Sequence, residues 1–248
     1  MMARMMAPLP PADAATFYLM LFLGAGVPLL FAWTHFNHRA TVMLVAVSAL
    51  LVTGLLAWHG VFRNLNSQPP AMLLVASGSL ACCIGLGVSQ VGRQAACRNS
   101  FALLIGFQAF RLPLELVMYR AARLGLMPVE FSFVGWNFDI LTGITALGLG
   151  LCFKQQRIAK PRIQRWLIAA WNAWGIACLT VIFILAVASS PNVRALGDAP
   201  DKVNTWVLAF PYAWLPTLLV SVALLGHVLV MRKLFSEWEL SIHTDPKT

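Results

Sequence analysis

Residues 154–187 read KQQRIAKPRIQRWLIAAWNAWGIACLTVIFILAV. From Trp166 to Val187 there is no charged side chain, and as a helix at 1.5 Å per residue that run is about 33 Å long, enough to cross a hydrocarbon core of about 30 Å. The segment before it holds Lys154, Arg157, Lys160, Arg162 and Arg165, the basic cluster expected beside the cytoplasmic end of a span. This pairing predicts a transmembrane helix entered from the inside.

The rest of the chain follows the same pattern. Its 248 residues are 59% hydrophobic and 11% charged, against about 45–50% and about 25% in soluble domains. Eleven per cent charge cannot cover a water-facing surface, which excludes a soluble enzyme. Apolar runs predict seven spans, over about 15–35, 41–62, 71–92, 100–119, 132–153, 166–187 and 205–231. The connections are short and no repeat or low-complexity tract divides them, so residues 1–248 read as one transmembrane domain. The expected fold class is an all-α polytopic bundle of seven helices.

The net charge of +9 does not point to nucleic acid, because the cations sit singly or in short loops between apolar runs. They serve as orientation signals instead. The N-terminus and the second, fourth and sixth loops hold Arg4, Arg63, Arg120, Arg123, Arg194 and Lys202. The other loops and the tail hold Arg39, Arg93, Arg98, the five of residues 154–165, Arg232, Lys233 and Lys247. Six against eleven places the N-terminus outside and the C-terminus in the cytoplasm. Trp166, Trp171 and Trp174 at one end and Trp206, Tyr212 and Trp214 at the other fit interfacial belts. Cys82, Cys83, Cys97, Cys152 and Cys178 show no paired spacing and read as small apolar residues.

Chemistry concentrates in residues 108–145, QAFRLPLELVMYRAARLGLMPVEFSFVGWNFDILTGIT. Gln108, Arg111, Glu115 and Met118 recur at helical spacing on the fourth span. The fifth span adds Asn137 and Asp139. Counting back through the hairpin, Arg111 falls level with about position 140 and Glu115 with about position 136, roughly 7–12 Å below the outer boundary. Arg111 should face Asp139, and Glu115 should face Asn137. On a continuous helix Asn137 and Asp139 are about 200° apart, so only one of them should point at the fourth span. Ion pairs of this kind can fix helix register, but ionisable groups within spans mark substrate, ion or proton sites by default.

The seventh span carries a second stripe, Tyr212, Pro216, Val220, Ala223 and His227. Tyr212 is expected at the depth of the charged layer. His227 is expected near the inner end, hydrogen-bonded in place, with Asn172 as an available partner. The site set is therefore Arg111, Glu115, Asn137, Asp139, Tyr212 and His227, with no catalytic residue assigned.

Several chemistries have no support. No lysine lies between Lys202 and Lys233, so the seventh span cannot form a retinal Schiff base. Converging zinc ligands, a phosphate loop, a nucleophile elbow and paired haem histidines are not found, and neither a metal nor a cofactor is expected.

The motifs FRLPLE (110–115), G-x-x-P (125–128), F-x-G-x-NFDI (133–140), GITA (143–146), PYAWLPT (211–217), A-x-x-x-H (223–227) and RKL (232–234) resemble a group of uncharacterised bacterial seven-span integral membrane proteins. In that group the position of Trp136 is commonly basic. The resemblance implies a bacterial inner-membrane helix bundle centred on Arg111, Glu115, Asn137, Asp139, Pro216 and His227, and supplies no reaction. The expected activity is binding or transport of a small polar solute or protons. The alternatives are a membrane-embedded enzyme acting on a lipid or isoprenoid headgroup, with Arg111 holding a phosphate, and a structural or regulatory subunit. The expected surroundings are the lipid bilayer, with no nucleic acid, and no protein partner is assigned.

Overall fold

The computed structural model describes residues 13–157 and 160–244. Arg4 and Lys247, used above for orientation, lie outside the described residues. Among the described residues there is no β-strand, and the helices are α1 (Ala14–His35), α2 (Arg39–Trp58), α3 (Ala71–Val88), α4 (Gln90–Arg98), α5 (Phe101–Phe107), α6 (Arg111–Arg123), α7 (Asp139–Lys154), α8 (Pro161–Ala188) and α9 (Val220–Thr244). With α5 and α6 taken as one rod, six helices are long and apolar enough to cross a membrane. The chain reads as a multi-pass membrane protein.

The α5–α6 rod is interrupted by a 3-10 turn at Gln108–Phe110. Pro113 has no N–H to return to the Ala109 carbonyl, which explains the tightening one turn before it. Leu215–Leu219 form a π turn leading into α9, with Pro216 inside it. Such bulges shift side-chain register, often at functional sites.

Three expectations for the spans change. The fifth expected span, 132–153, is helical only from Asp139, and its 16 residues fall short of the membrane-length helices. Residues 132–138 fold into turns, because Gly135 packs so closely on the 129–130 backbone that a Cβ would lie 2.5 Å from the Val129 carbonyl oxygen. The third span ends at Val88, and Ser89 caps a separate short helix, α4, by accepting the Gly92 N–H at 3.2 Å. The seventh runs as unbroken helix only from Trp214, since residues 205–213 form turns around a short 3-10 segment at Trp206–Leu208.

Helix α9 is the hub, packed by α1, α3, α4, α5 and α8. Helix α2 buries little more than one stripe, Leu50, Thr53, Gly54 and Ala57, and leaves Leu44, Val45, Leu51 and Leu55 exposed. A contiguous apolar surface of this kind is a bilayer contact rather than an aqueous one. Of the tryptophans expected at the interfaces, Trp166 and Trp174 are exposed, whereas Trp171, Trp206 and Trp214 are buried. Trp214 donates its indole N–H to the Leu50 carbonyl at 3.2 Å, tying α9's entrance to α2.

The two ends of the bundle are pinned by polar contacts. At one end Arg120 pairs with Asp13 at 3.1 Å and Lys202 with Glu130 at 2.5 Å. At the other, Arg98 donates to Asn37 and Asn99 donates to the His35 carbonyl at 2.9 Å. There too Arg232 donates to the Gly87 and Ser89 carbonyls, each at 2.9 Å. That guanidinium satisfies carbonyls left open by the end of α3.

Candidate functional site

Arg111 opens α6 and Asp139 opens α7, and both are almost completely buried. Their side chains meet through a single Nη1–Oδ1 contact of 2.7 Å. One turn along α6, Glu115 Oε1 accepts from the Asn137 amide at 2.7 Å. The two pairings match those expected from counting through the hairpin.

The expectation that Asn137 and Asp139 diverge is overturned. Asn137 lies in the turn before α7, so helical spacing does not apply to it. Its amide N–H₂ also donates to the Phe131 carbonyl at 2.8 Å, while its oxygen accepts the Asp139 backbone N–H at 3.0 Å. The side chain thus satisfies the first N–H of α7 and grips Glu115 at once. A break in the helix lets neighbouring positions serve one site.

The layer is not fully paired. Arg111 Nε and Nη2 and Glu115 Oε2 are buried with no hydrogen-bond partner among the described residues. They border a void of about 20 Å³ walled by Arg111, Glu115, Asp139, Met118, Ile182 and Leu215. A space of about 10–15 Å³ is enough for one water, so the void admits a species of one or two heavy atoms.

Polar groups continue inward from the layer. Thr142 is one turn past Asp139 and sits beside Cys178 of α8. His227 of α9 packs in the space that Gly175 leaves open: a Cβ there would stand 2.2 Å from His227 Cε1 and 3.2 Å from the Thr142 methyl. His227 Nδ1 lies 2.8 Å from Asn172 Oδ1. With the Asn172 oxygen accepting, Nδ1 carries the proton and Nε2 is left as an acceptor with no partner among the described residues.

His227 is therefore not at a separate inner end, as expected from its distance in sequence. Residues 205–213 do not descend as continuous α-helix, so counting from 205 overstates its depth. Its expected partner, Asn172, is the one found. Gln108, on the same stripe as Arg111, donates to the Ala223 carbonyl at 3.1 Å, in space that Gly226 provides. Gln108 and Thr142 join the polar core but were not in the expected set. Gln108 stood on the charged stripe, and Thr142 follows Asp139 at i+3, which is the signal available for each.

Tyr212 does not join it. It precedes the π turn, is buried against Trp206 with ring centroids 4.6 Å apart, and borders neither the void nor the larger cavity beside it. The π turn breaks the stripe that would have carried it toward Glu115.

That larger cavity has a volume of about 250 Å³ and lies between α3 and α8, with the π turn as its floor. Met118, Ile182, Leu215 and Val220 border both spaces. Among the described residues no group of His, Cys, Asp or Glu is arranged to hold a metal ion.

No curated protein and no solved structure matches the chain. A family model does match, over residues 68–235, which contain every residue of the polar core. The chain belongs to the family described as domain of unknown function DUF8737.

Proposed function

We propose that the protein is a seven-span protein of the bacterial inner membrane, N-terminus outside, that binds and passes protons through the core from Glu115 to His227. The short α7, extended by the turns of residues 132–138, serves as the fifth crossing. The observation that carries this reading is the asymmetry of the two carboxylates. Asp139 is neutralised by Arg111, whereas Glu115 is held by a neutral amide and has a free Oε2. A proton is the smallest species that completes Glu115.

Size supports the proton over a polar solute. A void of about 20 Å³ has room for a water that relays a proton, and a solute site would need several times more. The same size weighs against Arg111 holding a phosphate, and so against the headgroup enzyme in that form. Beyond the layer, the Thr142 hydroxyl and the His227 Nε2 acceptor supply onward stations.

The test is proton flux into proteoliposomes under an imposed potassium diffusion potential, with a pH-sensitive dye inside. The wild type should acidify the lumen faster than protein-free vesicles, and Glu115→Gln should abolish the difference. Wild-type vesicles no leakier than lipid alone, or undiminished flux in Glu115→Gln, would overturn the proposal.

A further inference from the structure

The cavity of about 250 Å³ and the void at Arg111 and Glu115 share four wall residues, which sets an apolar cleft beside two side chains with unpaired polar atoms. We infer that the cleft between α3 and α8 binds a membrane-borne alcohol with a single narrow apolar chain, its hydroxyl seated between Arg111 and Glu115.

Met72, Leu73, Ala76 and Leu80 of α3 face Ile182 and Phe183 of α8 across the cavity. Leu73 and Phe183 are each 41% exposed, so the apolar rim joins the surface that bilayer chains cover. A ligand can therefore enter sideways from the membrane. At about 250 Å³ the cavity lies below the range of about 300–1,000 Å³ usual for drug-sized ligands. One chain fits; a double-chain lipid or a fused ring system does not.

The polar end selects the head. Arg111 Nε and Nη2 are unused donors and Glu115 Oε2 is an unused acceptor. A hydroxyl oxygen accepts from the first and its O–H donates to the second, completing both with one heavy atom. The void has space for that atom and little more. A phosphate or carboxylate head would be too large and would meet the Glu115 and Asp139 carboxylates. Burial of the complementary head without a partner charge is what a neutral hydroxyl tolerates.

The inference uses the same Arg111–Glu115 layer but does not require proton movement through it. The experiment is photolabelling of the full chain in detergent micelles at fixed pH, with no gradient, using decanol that carries a diazirine in its chain. Labelled residues are mapped by mass spectrometry. Labelling should saturate and concentrate on the α3 and α8 cleft residues, with unlabelled decanol competing at least tenfold better than decane or decyl phosphate. Ala76→Trp and Val187→Trp, which fill the cavity from opposite walls, should each cut cleft labelling at least tenfold while the thermal unfolding midpoint shows a folded protein. Labelling spread over the outer faces of α1 and α2, equal competition by decane, or equal competition by decyl phosphate would overturn the inference. A protein that moves no protons but labels as expected would leave it standing and remove only the proposal above.

Discussion

Asn137 joins Glu115 and Asp139 through the two ends of one amide, donating to the first at 2.7 Å and accepting the backbone N–H of the second at 3.0 Å. That relationship sets the position of α7 relative to α6, because the start of one helix is fastened to a side chain on the other. Replacing Asn137 by Ala leaves a buried carboxylate, a carbonyl and a backbone N–H without their partner. At about 1–3 kcal/mol for each buried group left unsatisfied, Asn137→Ala should lower the unfolding midpoint in detergent by many degrees, more than Asn64→Ala in the exposed turn after α2. Equal midpoints would show that the amide does not hold the hairpin.

The Arg111–Asp139 pair separates stability from function. Removing one partner strands the other charge in an apolar core and should cost about 3–5 kcal/mol, whereas replacing both by apolar residues of similar size should recover most of it. Arg111→Met and Asp139→Leu together should therefore unfold later than either alone, while failing in the flux assay. A double variant that carries protons like the wild type would reduce the pair to packing.

Much of this arrangement was legible in the sequence, and the exceptions have a common cause. Arg111 faces Asp139 and Glu115 faces Asn137 as hairpin counting expects, although α6 ends at Arg123 and α7 starts only at Asp139, because the intervening turns fold back on α6, where Phe133 stacks on Tyr119. Asn172 and His227 follow from two buried polar residues needing partners. What counting missed were the breaks in helical rise: the turns at 132–138, the turns and short 3-10 segment at 205–213 and the π turn at 215–219. Each lies in an apolar stretch that hydropathy reads as helix. Local contacts decide otherwise there: the tight packing of Gly135, the amide of Asn137 and the missing N–H of Pro216. These same breaks bring Asn137 into the layer, place His227 one turn below it and exclude Tyr212.

Orientation can be read with a native side chain. Cys97 is exposed on α4, at the end of the bundle that the positive-inside bias assigns to the cytoplasm. A membrane-impermeant maleimide should leave it unlabelled in intact cells and label it after permeabilisation. Asp198→Cys, in the loop after α8, should show the reverse accessibility. Labelling of Cys97 in intact cells would invert the topology.

Strong acid should loosen the start of α1. Asp13 accepts from the Arg120 guanidinium and from the Thr16 N–H, and these bonds lower its pKa from an ordinary 3.8 to about 2. A carboxylate whose folded pKa is depressed stabilises the fold above its ordinary pKa and loses that contribution as pH falls through the folded value. The wild-type unfolding midpoint should therefore drop between about pH 4 and pH 2 by more than that of Asp13→Asn, which keeps the cap but not the charge. Parallel curves for the two proteins would show that the Asp13–Arg120 contact contributes nothing to the acid response.

In the proposed function Glu115 takes up and releases a proton within the bundle, and infrared difference spectroscopy of the reconstituted protein during a pH titration reads this directly. A carboxylic-acid carbonyl band should titrate in the wild type and in Tyr212→Phe and be absent in Glu115→Gln. A band that survives Glu115→Gln, or a wild type with no titrating band, would contradict it.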